Sequence, residues 1–190
     1  KEMRKEYETL IPQLPYVGGS KNIMSMYLID SVSMLAVFRV LEKEGLKLHE
    51  IGKLCYEFYE TMNERRPRPR AQIFNKDYIN VIKVVAKESQ LKRYPEDWVM
   101  EFVESDGKTF DYGFNFTECG VCKFFKQQRA EHYIPFICLA DFAEARASGY
   151  GLKRTQTIGN GAPICDFRFS KNGNTPRGWP PDDLPEYKKK

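Results

Sequence analysis

The segment from Glu131 to Phe169, EHYIPFICLADFAEARASGYGLKRTQTIGNGAPICDFRF, constrains the fold more than any other stretch of this chain. A helical pattern is followed closely by a strand pattern, so the helix must turn back onto the strands within a few residues. Residues three apart on a helix share a face, which puts Cys138, Asp141 and Ala145 on one stripe, bordered by Phe142 and Pro135. A β-hairpin is expected next, turning at Gly159-Asn160-Gly161. Its second strand alternates with period two, Cys165, Phe167 and Phe169 on one face and Ile164, Asp166 and Arg168 on the other. If the helix covers the Cys165 face, two thiols and a carboxylate meet at one half-buried spot. Cys138, Asp141 and Cys165 are therefore the candidate catalytic group.

A second period-two stretch lies upstream. Trp98, Met100 and Phe102 alternate with Val99, Glu101 and Val103, and Ser105-Asp106-Gly107 offers a turn. Phe110, Tyr112, Phe114 and Phe116 then alternate with Thr109, Asp111, Gly113 and Asn115, which predicts a hairpin with one aromatic face. Helices are expected before it over residues 1–10, stopped ahead of Pro12 and Pro15, and over 20–44, capped by Ser20 or Asn22 and ended by Gly45. Two more are expected over 49–64 and 75–91. The long second helix is apolar enough to be largely buried. The fold class is α+β: N-terminal helices packed on one face of an antiparallel sheet of about four strands, made of two β-hairpins joined by a helix. A single domain over 1–170 is expected, its helical part about 1–93 and its hairpin-helix-hairpin part about 97–170. Residues 171–190, dominated by proline, glycine and charge, read as an extended or disordered tail.

Composition excludes more than it selects. At 190 residues and 42% hydrophobic the chain can bury a full core. A net charge of +4 is too mild to argue for a nucleic-acid partner. The most apolar run, Ile23 to Val40, is broken by Asp30, Ser31, Ser33 and Arg39, so no membrane partner is expected. The charged start, KEMRKEYETL, does not read as a signal peptide. Five cysteines in a spacing unlike a disulfide framework predict a cytoplasmic protein with reduced thiols, and the apolar long helix is compatible with a homodimer.

The chemistry-bearing residues each admit a plainer role. Cys119, Cys122, Cys138 and Cys165 could form a sulfur site for zinc, yet cysteine is also a common core filler. A redox role for Cys119-x-x-Cys122 is set aside, because the pair does not open a helix within a βαβ unit. Asp141 in an apolar helix is costly to bury unless bonded; it takes part in chemistry or pairs with Arg154 or Arg168. Arg154, Thr155, Thr157 and Arg168 are the candidate substrate-binding residues, a guanidinium serving to clamp a carboxylate; the plainer reading of 154–157 is a solvated edge strand, and Asp166 and Arg168 can pair on their shared face. His49 and His132 read as surface residues, and Arg65, Arg66, Arg68 and Arg70 as a solvated loop or an anion grip.

Three motifs together, FNFTECGVCKFF, PFICLADF and LKRTQTIGNGAPICDFRFS, resemble the L-2-amino-thiazoline-4-carboxylic acid hydrolase family. The matching positions are Cys119 or Cys122 after an aromatic strand, Cys138 with Asp141, the run Arg154-Thr155-Gln156-Thr157-Ile158, and Cys165-Asp166-Phe167-Arg168-Phe169. The resemblance implies hydrolysis of a small cyclic amidine or thiazoline carboxylate towards an N-carbamoyl-cysteine. It implies a nucleophile from Cys138, Cys165 or an Asp141-activated water, a proton shuttle at Asp141 and a cation at Arg154 or Arg168 for the substrate carboxylate. No cofactor is expected on this reading. The alternatives are a cysteine-ligated zinc site, structural or Lewis-acidic, and a small-molecule sensor without catalysis, since the Cys-Asp-Phe ending also resembles the small-molecule-binding domain of the vinyl-reductase type.

Overall fold

The computed structural model describes residues 1–67 and 69–188. Arg68, part of the arginine run, lies outside the described residues. The helices are α1 (Glu2–Leu10), α2 (Ser25–Lys43), α3 (Leu48–Arg65), a single turn α4 (Arg70–Ile73) and α5 (Lys76–Ser89), then α6 (Gly120–Gln127), α7 (Ile134–Cys138) and α8 (Ala140–Ser148). The strands are β1 (Val99–Glu104), β2 (Tyr112–Glu118), β3 (Gly151–Lys153) and β4 (Cys165–Ser170). They form one antiparallel sheet in the order β1-β2-β4-β3. The α+β class and the four strands agree with the sequence pattern.

Local chemistry accounts for most boundaries. Asn75 caps α5 by accepting the Tyr78 N–H at 2.7 Å, satisfying one of the donors a helix start leaves open. Helix α2 begins later than expected, at Ser25, because the Asn22 carbonyl oxygen accepts the Met24 N–H and its amide reaches Val17 O and Asp97. That ties the glycine loop to the start of the sheet instead of extending the helix. The inner face of α2 supplies Leu28, Val32, Leu35 and Phe38 to the core, while Met26 and Ile29 stay exposed, so this helix is buried on one side only. The helix expected to run from Glu131 is a 3-10 turn (Glu131–Tyr133) followed by α7 and α8, which separate at Leu139.

The first hairpin forms as its alternation dictates. In its turn, Asp106 accepts the N–H groups of Lys108 and Thr109. Rings of Phe102, Tyr112, Phe114, Phe167 and Phe169 stack across neighbouring strands, the cross-strand pairing that stabilises sheets. Helix α5 covers β1, and α3 packs on α8. Leu139, Phe142 and Ala145 of this layer are buried against Phe167 and Phe169, each fully buried large side chain contributing about 1.5–3 kcal/mol.

Two further expectations are corrected. The second hairpin is short: β3 pairs with β4 only over Gly151–Lys153, and residues 154–164 leave the ladder. Asp166 is the cause, because its carboxylate accepts the Thr155 and Gln156 N–H groups at 2.7 Å and the Thr155 hydroxyl at 2.5 Å, drawing the backbone into a bend. The tail is also no loose end. Residues 171–188 wrap back over α3 and α8: Thr175 bonds Leu152 N–H and Tyr150 O, Gly178 N–H bonds the Tyr56 hydroxyl, Leu184 is fully buried and Tyr187 bonds Pro135 O. Its scattered apolar anchors fill grooves on the domain, which outweighs a composition typical of disorder.

Candidate active site

Arg154 is the hub. It follows β3 and turns inward, its side chain only 1% exposed. Nε and one Nη grip Glu186 at 2.5 and 2.8 Å, the other Nη meets Asp141 at 2.6 Å, and a further N–H reaches Cys138 O at 2.8 Å. The guanidinium lies between the rings of Phe142 and Phe167, 5.0 and 4.8 Å from their centroids, a favourable place for a planar cation. Four of the five N–H groups that arginine carries are thus spent inside the protein. The plainer role, an ion pair with Asp141, is the observed one, and the expected clamp on a substrate carboxylate has little donor capacity left.

One buried cation faces two carboxylates, one enclosed and one partly open to solvent. Burial accordingly pushes the carboxyls of both Asp141 and Glu186 above their ordinary values, with Arg154 opposing the shift in each case. Glu186 is enclosed, whereas 42% of the Asp141 side chain remains exposed. Asp141 is the member of the cluster that solvent or a substrate can reach.

The thiols gather around Thr157. Its Oγ1 lies 3.6 Å from Cys138 Sγ and 3.4 Å from Cys165 Sγ, and the Ile158 N–H donates to Cys165 Sγ at 3.2 Å. Gly159 completes the corner, because a Cβ there would sit 3.0 Å from Cys138 Sγ and 2.9 Å from Ile134 Cγ2. The expected convergence of Cys138, Asp141 and Cys165 is therefore present, joined through Thr157 and Arg154. Burial raises both thiols; at Cys165 the Thr157 and Ile158 donors oppose it, and at Cys138 Arg154 does. Tyr59 of α3 borders the same spot, close enough to sense Asp141 and Cys138.

The remaining candidates are placed elsewhere or already engaged. Arg168 points to the other face of the sheet, where it bonds Asn115 Oδ1 at 3.0 Å and Phe167 O at 2.8 Å and crosses the Phe110 ring. Gly113 makes room for it, since a Cβ there would meet Arg168 Cδ at 2.8 Å. Asp166 is committed to Thr155 and Gln156 instead of Arg168, so Thr155 is an anchor of the bend. Among the described residues no three His, Cys, Asp or Glu side chains are grouped to hold a metal ion; the four thiols of the zinc alternative are all free and neighbours without forming such a group. His132 is exposed near Glu42 and His49 stacks on Trp179. Two clefts, of about 310 Å³ beside Met24, Val85 and Trp98 and about 150 Å³ between α1 and α2, are lined by none of these candidates.

Sequence reasoning missed one residue and gave another no catalytic role. Glu186 escaped because the tail was read by composition; its signal was the apolar spacing of Trp179, Leu184 and Tyr187 around it. Cys119 entered as a metal ligand and as one of two cysteines matching the family position, without a catalytic role, yet it directly follows β2 and occupies the position that starts α6. The Cys122 thiol, with the Cys122 and Val121 N–H groups and the Trp98 indole, lowers the Cys119 thiol against its burial, while Cys122 is raised. The strand-to-helix step was legible, although the sheet is antiparallel and not part of a βαβ unit.

Comparison with known proteins adds one match. A family model described as L-2-amino-thiazoline-4-carboxylic acid hydrolase covers residues 26–169. The chain belongs to that family. The matched region holds Cys119, Cys138, Asp141, Arg154, Thr157 and Cys165 and stops before the wrapping segment that carries Glu186. Neither the curated proteins nor the solved structures gave a match. No described helix is long and apolar enough to cross a membrane.

Proposed function

We propose that this member of the L-2-amino-thiazoline-4-carboxylic acid hydrolase family opens a small cyclic amidine or thiazoline carboxylate by Asp141-assisted attack of water at the ring carbon between nitrogen and sulfur. Water adds to that carbon, the carbon–sulfur bond breaks, the sulfur leaves as a thiol and the carbon becomes a carbonyl. A 2-amino-thiazoline-4-carboxylate gives N-carbamoyl-cysteine with one water consumed. The observation that carries this reading is a half-exposed carboxyl, raised by burial, beside the Thr157-linked thiols of Cys138 and Cys165. A carboxyl tuned upward by burial can accept a proton from water and return it to the departing sulfur. The two thiols, held protonated by burial, present polarisable, uncharged walls to a sulfur-containing ring.

A second reading, covalent attack by a thiolate, is favoured at Cys119, whose surroundings stabilise the ionised form. Thiol release from 2-amino-thiazoline-4-carboxylate, followed with a disulfide reagent, tests both. Asp141→Asn is expected to cut kcat/KM by about 100-fold or more and Cys119→Ser by less than tenfold. An inert wild-type protein overturns the hydrolase reading, and the opposite ranking transfers the attack to Cys119.

A further inference from the structure

The segment after β4 lies beyond the family match, yet it delivers the residue that decides how Arg154 divides its donors. We propose that Glu186 is a positioning residue: by taking the forked face of Arg154 it leaves Asp141 on a single guanidinium N–H and keeps that carboxyl available to solvent and substrate. This rests on the hydrolase reading for its consequence in catalysis, though the geometry stands apart from it. Glu186 makes two bonds to Arg154 and Asp141 one. The strap is fastened on either side of Glu186: the Asn160 amide donates to Glu186 O at 3.1 Å, Leu184 is fully buried, and Tyr187 bonds Pro135 O just before the Cys138 turn. Glu186 is therefore held in place by more than its charge.

The physical consequence follows from counting charges. With Glu186 present, one guanidinium serves two carboxylates, and the less enclosed of them keeps the weaker hold. Replace Glu186 by a neutral side chain and Arg154 belongs to Asp141 alone, which favours the ionised form of Asp141. The groups facing Asp141 are Arg154 from the β3–β4 connection, Cys138 from α7, Tyr59 from α3, and Glu186 of the strap. Of these, Glu186 carries the one other carboxylate that binds the same guanidinium.

The test is the titration of Asp141, read by carbon NMR of aspartate-labelled protein, in wild type, Glu186→Gln and Glu186→Asp, with Asp141→Asn to assign the signal. Glu186→Gln is expected to lower the Asp141 midpoint by about one pH unit. Glu186→Asp keeps the charge but shortens the reach, so it is expected to move the midpoint in the same direction by less, and it decides the matter if Glu186→Gln does not fold. Unchanged midpoints in the folded variants overturn the proposal. The acid limb of the ring-opening pH profile should move down with the NMR midpoint. If wild type opens no ring while the midpoints still shift, the hydrolase reading fails and the positioning role of Glu186 stands.

Discussion

Arg154 and Arg168 lie on opposite faces of one sheet, and their fates diverge for that reason. Arg168 sits on β4 at an outward position of the period-two alternation, so it spreads over the Gly113 gap, bonds backbone oxygens and one amide, and among the described residues pairs with no carboxylate. Arg154 follows the last residue of β3, where the Asp166 bend turns the chain inward, and its buried guanidinium meets two carboxylates and two aromatic rings. The same side chain is a sheet-surface brace in one place and a buried charge hub in the other. The face of the sheet and a strap from the far end of the chain make the difference.

The largest expected effect breaks the comparison outright. Arg154→Met leaves Asp141 and Glu186 without their cation and should cost about 3–5 kcal/mol, whereas Arg168→Met, which removes only neutral partners, should cost about 1 kcal/mol; urea unfolding of both checks the ratio. Equal losses would mean that Arg154 is no hub. Next comes the corner beside the thiols. Gly159→Ala, which presses on Cys138 Sγ and Ile134, should destabilise by about 1–3 kcal/mol and slow alkylation of Cys138, measured by mass spectrometry of the labelled peptide.

Thr157→Val removes the hydroxyl shared by Cys138 and Cys165 at a stability cost of about 1 kcal/mol. It should also raise the Cys165 thiol further, because that hydroxyl opposes the effect of burial; alkylation of Cys165 as a function of pH measures this. The gentlest test concerns pH and stability. Asp141 and Glu186 are held above their ordinary values, so their protonated forms favour the folded state. That contribution is complete below the ordinary carboxylate range and is lost as pH rises through the raised folded values. Urea midpoints recorded between about pH 4 and pH 8 should fall less steeply in Asp141→Asn than in wild type.

Much of the fold was legible because periodicity reports which face is buried. The alternation of Trp98 to Phe116 and of Cys165 to Phe169 gave the central strands, whereas Cys138 and Asp141 fall on two helices that separate at Leu139, so their nearness to Cys165 comes from packing and not from spacing along one helix. The bend at 154–157 was not legible, since a side chain (Asp166) competes with the ladder for those N–H groups, and alternation carries no trace of that competition. The strap was misjudged because composition measures average hydrophobicity, while docking depends on a few anchors meeting grooves that exist only in the folded domain.

Sequence by itself determined the class of the domain and the inward face of each central strand, consequences of a fixed strand period, and it made the meeting of two thiols with one carboxyl conditional on which helix covers the Cys165 face. Tertiary structure decided which charges that carboxyl would feel. Electrostatic surroundings depend on distance in space, and Glu186 reaches Arg154 only after the chain has wrapped back across α3 and α8.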